Sequence, residues 1–201
     1  MVQVKKKEVE DAICAAAETL FSRKGFRETK LSEIARDAGV GVGNIYSYFP
    51  SKTHILYSVY RPWLMARLRT VARAADRRKT PRDKVMTILV GLWRDIPAEN
   101  PNLANALMEA LASEPPEGGK KDNLLRDSEA YISAMFEKAL PRDRRYLVEN
   151  DLVSNLCLMA YDGFSINRRL GDIREVDKIA ALLTDLLLGA VPQETSPENS
   201  L

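Results

Sequence analysis

Between Thr29 and Lys52 the chain gathers side chains suited to hydrogen bonding and charge neutralisation rather than to making or breaking bonds. Thr29, Lys30, Asn44, Tyr46, Ser47, Tyr48 and Lys52 bring hydroxyl, amide, phenol and ammonium groups into 24 residues. Such groups bond phosphate oxygens, and an amide side chain can also bond two atoms of a base edge. The material for catalysis is thin by comparison. His54 is the single histidine, and the two cysteines, Cys14 and Cys157, lie far apart. A histidine-based triad, a zinc site and a disulfide framework all lack members. The expectation is a non-enzyme with no metal and no cofactor. Gly39, Gly41 and Gly43 resemble a phosphate-binding loop only in composition, because no strand precedes them and Asn44 with the aromatics after it does not fit.

The elements that must position this segment read as helices. Val9, Ile13, Ala16 and Leu20 form one apolar stripe, and Gly25 is the expected stop of that first helix. Thr29 is the expected N-cap of a short second helix carrying Leu31, Ile34 and Ala35. Gly39 ends it, and Ile45 and Phe49 set the buried side of a third. Two short helices on either side of a turn at Ala38 to Gly41 have the spacing of a helix-turn-helix. Ile34, Ala35, Val40, Ile45 and Phe49 then face inward, and Val42, Gly43, Asn44, Ser47 and Tyr48 face outward. Tyr46 suits either a core edge or a phosphate contact.

Downstream, Ser51 caps a long helix from Lys52 to Lys79, in which Pro62 is expected to make a kink or a split. Thr80-Pro81 opens a fifth helix to Ile96, and Glu99-Asn100-Pro101 opens another to Ser113. Residues from Ser113 to Lys121 read as a loop, Asp122 to Leu140 as a helix, and Pro141 as its end. Two long apolar helices, Asp143 to Leu170 and Ile173 to Ala190, complete the fold, followed by a polar tail at 192–201 expected to be disordered. The prediction is all-α, with about nine helices: residues 1–52 as the helix-turn-helix domain and 53–191 as a helical bundle.

Composition is that of a globular protein, with 45% hydrophobic and 29% charged residues. The net charge of +2 gives no bulk basicity, and the first 52 residues carry nine Lys or Arg against seven Asp or Glu. Any binding to nucleic acid must therefore use a local patch. Lys5, Lys6 and Lys7 form a solvated start or, alternatively, a basic arm. No apolar run spans a membrane, none follows these lysines as in a signal peptide, and the expected compartment is the cytoplasm.

Leu20-Phe21, Gly25-Phe26, Thr29, Ile34-Ala35, Ala38-Gly39-Val40, Gly43-Asn44-Ile45-Tyr46, Tyr48-Phe49-Pro50-Ser51-Lys52 and Leu56 stand at unbroken spacing. That series resembles the DNA-binding domain of the TetR family of bacterial transcription regulators. The resemblance implies a sequence-specific DNA-binding regulator, a repressor released from its operator by a small molecule. It places Tyr46, Tyr48 and Lys52 on phosphates, Thr29 and Lys30 at the DNA backbone, and Val42, Gly43, Asn44 and Ser47 at the bases. Gly41 stands where serine is usual in the family and Val42 where a polar or basic residue is common.

The resemblance also implies a ligand cavity and a dimer. Trp63, Met86, Trp93, Met108, Met135, Phe136, Tyr161 and Phe164 are the apolar candidates for lining a cavity, although each alone reads equally as core. Asn105, Glu109, Asp162 and Asn167 are polar groups able to fix a ligand. Leu152, Leu156, Met159, Gly163 and Ile166, with Val176, Ile179, Leu183, Leu186 and Leu187, are the expected homodimer faces. The partners expected are double-stranded DNA with a near-palindromic operator, an effector of unknown identity and a second copy of the chain. The rival reading is an all-α enzyme or ligand carrier.

Overall fold

A computed structural model of the chain describes residues 2–113, 126–171 and 175–189. All regular elements among them are helices. The expected loop beyond Ser113, the helix start at Asp122 and the polar tail lie outside the described residues. The chain runs α1 (Val2–Glu28), α2 (Leu31–Asp37), α3 (Val42–Ile45), α4 (Lys52–Asp76), α5 (Pro81–Val90), α6 (Ile96–Glu99), α7 (Pro101–Ser113), α8 (Arg126–Ala139), α9 (Leu152–Arg169) and α10 (Val176–Leu188). A π-helical turn, Gly91–Asp95, joins α5 to α6, and a 3₁₀ segment, Arg142–Asp151, precedes α9.

One core runs through both ends of the molecule. Ile13, Ala17, Leu20 and Phe21 of α1 are wholly buried, as are Ile34 and Ile45 of the short helices and Ile55, Leu56 and Leu68 of α4. Burying each large aliphatic or aromatic side chain contributes roughly 1.5–3 kcal/mol. This burial holds α2 and α3 in place, because helices this short do not form alone. α1 packs against α4 and α7, and α4 also touches α5 and α8, so α4 is a wall shared by the N-terminal helices and the bundle.

Several elements depart from the expectations. Gly25 breaks α1 as expected, taking φ 81°, but one separate turn follows it to Glu28. α4 passes through Pro62 without splitting. The carbonyl that the proline leaves without a donor belongs to Ser58, which is exposed to water. The predicted fifth helix is interrupted by the π-helical turn. Pro97 removes a donor just beyond that turn, and a local widening accommodates a ring that an ordinary α-turn would crowd. The helix predicted from Asp143 begins only at Leu152. Residues 142–151 are mostly charged, none is fully buried, and Asn150 and Asp151 take the left-handed conformation at φ 61° and 57°. Asn and Asp tolerate that region better than other side chains do. The hydroxyls of Ser154 and Ser133 then bond the carbonyl and the carboxylate of Asp151. Gly189, also left-handed, closes α10.

Candidate nucleic-acid interface

Local chemistry explains the helix-turn-helix. The Ala38 amide donates to Ile34 O, Gly39 N to Arg36 O at 3.1 Å and Val40 N to Ala35 O at 2.9 Å. These bonds close α2 around Gly39, whose φ of 69° favours glycine. Ala35, 1% exposed, lets α3 approach, and Ile45 and Phe49 fill the angle between the helices. At the start of α2 the capping position is Lys30, and Glu33 reaches back to accept from the Lys30 amide at 2.9 Å. Glu33 also bonds the Lys24 ammonium at 2.6 Å, and Lys24 and the Lys30 amide together hold its carboxyl below the usual range.

The opposite side of α3 is open. Val42, Gly43, Asn44, Tyr46 and Ser47 are exposed, Tyr46 to 57%, and Tyr48 is half-buried against the core. The helical turn continues past Ile45 through bonds from Ser47 N to Asn44 O and from Tyr48 N to Ile45 O. A Cβ added at Gly41 or Gly43 would meet nothing within 4 Å, so packing within the chain does not ask for glycine at either place. Lys30 is exposed at the start of α2.

Two of the expected DNA contacts, Thr29 and Lys52, have hydrogen-bond partners within the protein. Thr29 is not the N-cap of α2. It is 1% exposed, and its hydroxyl donates to Gly25 O at 2.7 Å. The Lys52 ammonium donates to Phe26 O at 2.8 Å and Thr29 O at 2.9 Å, and lies 4.2 Å from the centre of the Phe26 ring. The α1–α2 corner offers backbone carbonyls that bind an ammonium as a phosphate would, and they hold it there.

The cavity candidates divide. Trp63, Trp93, Met135, Phe136 and Tyr161 are buried, and Met86, Met108 and Phe164 are partly buried. Trp93 donates from Nε1 to Cys157 O at 3.0 Å and packs on Phe164 with ring centroids 5.3 Å apart and tilted by 39°, and the Tyr60 and Tyr161 hydroxyls meet at 3.4 Å. A cleft of about 400 Å³ lies instead between α4 and the α5–α6 stretch, lined by Arg67, Thr70, Val71, Gly91 and Ile96 among others. Beside the tyrosines, Asp162 is half-buried, and burial raises its carboxyl to about 6. The Ser165 hydroxyl is buried with no hydrogen-bond partner. Burial likewise pushes the Cys157 thiol up to about 12 and the Cys14 thiol to about 11, so both are protonated at neutral pH. Asn105 is spent on its own helix, bonding Pro101 O at 2.6 Å. Glu109 faces the N-terminal helices, where its carboxylate accepts from Phe26 N and Arg27 N.

On α9 and α10, Leu152, Leu156, Met159, Ile166 and Ile179 stand exposed, with Leu186, and a Cβ at Gly163 would meet open space. Val176 and Leu183 are half-buried. Leu187 departs from the expectation: it is 6% exposed and belongs to the chain's own core. Leu170 and Leu182, which the sequence pattern did not pick out, are exposed on the same helices. Among the described residues, no helix is long and apolar enough to cross a membrane.

A buried-backed turn presenting an open short helix, carried on an all-helical bundle, defines the class of helix-turn-helix transcription regulators. The family model for bacterial regulatory proteins of the tetR family matches residues 13–59. The chain is 25% identical over 190 residues to the transcriptional repressor KstR of Mycolicibacterium smegmatis, covering 94% of this chain and 89% of KstR. It is 34% identical over 86 residues to the regulator YuxN of Bacillus subtilis, and that match covers 41% of this chain but only 30% of YuxN. The solved structure of a TetR transcriptional regulator from Rhodococcus sp. RHA1 superposes with a TM-score of 0.65 at 20% identity, covering 92% of this chain and 97% of that one. Residues 13–59 therefore carry a helix-turn-helix of the tetR type, the chain as a whole resembles regulators of that family, and it is a DNA-binding transcription regulator.

Proposed function

We propose that the chain is a homodimeric repressor, acting in the cytoplasm, whose two copies of α3 read successive major grooves of a near-palindromic operator until a small molecule releases it. The observation that carries this reading is α3 itself, with Ile45 buried behind it and Val42, Gly43, Asn44 and Ser47 open in front. Asn44 reads a base edge, Val42 meets a thymine methyl, and Gly43 lets the backbone approach the groove. Lys30, Tyr46 and Tyr48 hold phosphates. Thr29 and Lys52 serve the interface from behind by fixing the α1–α2 corner. The reading domain is residues 1–52, and residues 53–191 sense and dimerise.

The exposed leucines and Met159 support the dimer. An apolar surface running along both α9 and α10 is large for a monomer, and two-fold pairing would bury it in a four-helix interface. Such a dimer sets two recognition helices about 34–36 Å apart. KstR, matched over nearly its whole length, is a repressor, which favours repression here. The effector would lie among Trp63, Met86, Trp93, Met108, Met135, Phe136, Tyr161 and Phe164, with Asp162 and Ser165 offering it polar contacts. It acts only through different affinities for the two conformations.

Selection of random-sequence duplexes by the full chain, followed by sedimentation of the complex, tests this. The expected result is a sequence with an inverted repeat carrying two chains. A pool that stays unselected, or a single bound chain, would overturn it.

A further inference from the structure

The α1–α2 corner, residues 22–29, is hydrogen-bonded to both ends of α7 and to the start of α4. Gly25 breaks α1, so the amides just after it begin a new turn without helical acceptors. Two of them, Phe26 N and Arg27 N, donate to Glu109 Oε2 of α7 at 3.0 and 3.1 Å. The fit is close: a Cβ on Gly25 would stand 3.1 Å from that same oxygen. At the other end of α7, Asn102 Nδ2 donates to Ser22 O at 2.9 Å and Arg23 O at 3.2 Å, and Asn100 Nδ2 to Ser22 Oγ at 2.7 Å. α4 holds the far side of the corner through Lys52. From the corner the grip passes to α2 by the Lys24–Glu33 pair, and α2 packs on α3.

We infer that Glu109 is a positioning residue for operator recognition: its carboxylate bolts the α1–α2 corner to α7 and fixes the angle and separation at which each protomer presents α3. The inference rests on the dimeric operator reading above. An aliphatic contact could slide along α7. A carboxylate accepting two amides sets both distance and direction, because charge-assisted hydrogen bonds are short and oriented. With the bolt in place, α3 follows any displacement of α7 relative to α4. Without it, α1 still packs on α4 and α7, and Asn100, Asn102 and Lys52 still hold the corner, but the bearing of the N-terminal helices on the bundle is looser. Glu109 therefore governs the spacing between half-sites that the dimer accepts, and leaves the bases read within one half-site untouched.

The experiment measures affinity of the full chain for its selected duplex, for the same duplex with the half-sites moved one base pair closer or farther, and for a single half-site. Glu109→Gln retains a carbonyl oxygen for the two amides, and Glu109→Ala retains none. Glu109→Ala is expected to lose about tenfold of the preference for the selected spacing, equivalent to ~1.4 kcal/mol, with half-site affinity unchanged. Glu109→Gln should stay within about threefold of the parent chain. Asn102→Ala, which removes an exposed partner of the same grip, should move spacing preference in the same direction by less and guards against a fold defect in Glu109→Ala. If both alanine variants discriminate spacing as the parent does, the inference is overturned and the dimeric reading stands. If the parent chain shows no spacing preference, the dimeric reading falls and this inference with it.

Discussion

Replacing Lys52 by methionine separates two roles that its position in the sequence cannot distinguish. The substitution keeps an apolar stem of similar length and removes the ammonium. That ammonium bonds Phe26 O and Thr29 O and lies 4.2 Å from the Phe26 ring centre. Hydrogen bonds to a charged group contribute roughly 1.5–3 kcal/mol each, and a cation–π contact at a partly exposed site about 0.5–1 kcal/mol. Water recovers part of this at the two carbonyls, so the expected loss is ~2–4 kcal/mol in chemical denaturation of the full chain. Operator affinity should fall with it, because the α1–α2 corner loses its tie to α4. The salt dependence identifies the cause. A residue that holds the corner leaves the slope of log affinity against log salt unchanged, whereas loss of a phosphate contact lowers it by about one. A Lys52→Met chain as stable as the parent, with a slope reduced by about one, would refute the structural role.

Other perturbations probe different parts of the molecule. At Gly91 an added Cβ would stand 2.7 and 2.8 Å from the Val71 γ-carbons. Gly91→Ala should therefore cost roughly 1–3 kcal/mol, and adding Val71→Ala should restore part of that loss in thermal unfolding. Asp162 has its carboxyl raised from 3.8 to about 6 by burial, so the folded state binds a proton more tightly than the unfolded one. Its favourable contribution is full below about pH 4 and lost as the pH rises through about 6. Asp162→Asn should accordingly gain on the parent between pH 4 and pH 7, by roughly 1 kcal/mol after allowance for solvent screening. Equal differences in unfolding free energy at both pH values would contradict this. Asn44→Ala should relax base preference at one operator position per half-site, read by affinities for single-base variants, and an equal loss on every variant would remove its base-reading role.

Much of the fold is legible in local chemistry. The turn at Ala38 to Gly41, the Ser51 and Thr80 caps and the start of α7 beside Asn100 each depend on residues within five positions of one another. The apolar face of α9 is legible for the same reason, since helical periodicity is a property of adjacent turns. Features that depend on distant partners are not. Glu109 and the amides it holds are 82 and 83 residues apart, and the sequence offers Glu109 only as a polar group able to fix a ligand. Thr29 and Lys52 have the right chemistry for phosphates, but the same groups satisfy the carbonyls of the α1–α2 corner, and only the fold decides between the two. Leu187 shares the spacing of the exposed leucines on α10, yet packs inside the chain's own core. The π-helical turn after Gly91 and the 3₁₀ segment before α9 disturb helices whose sequence patterns give no count of residues per turn.

The proposed dimer reads DNA through its two α3 helices. Hydroxyl-radical footprinting of the full chain on its selected duplex checks this. Two protected patches are expected on one face of the DNA, about one helical turn apart and related by the symmetry of the repeat. A single patch, or uniform protection along the duplex, would contradict it.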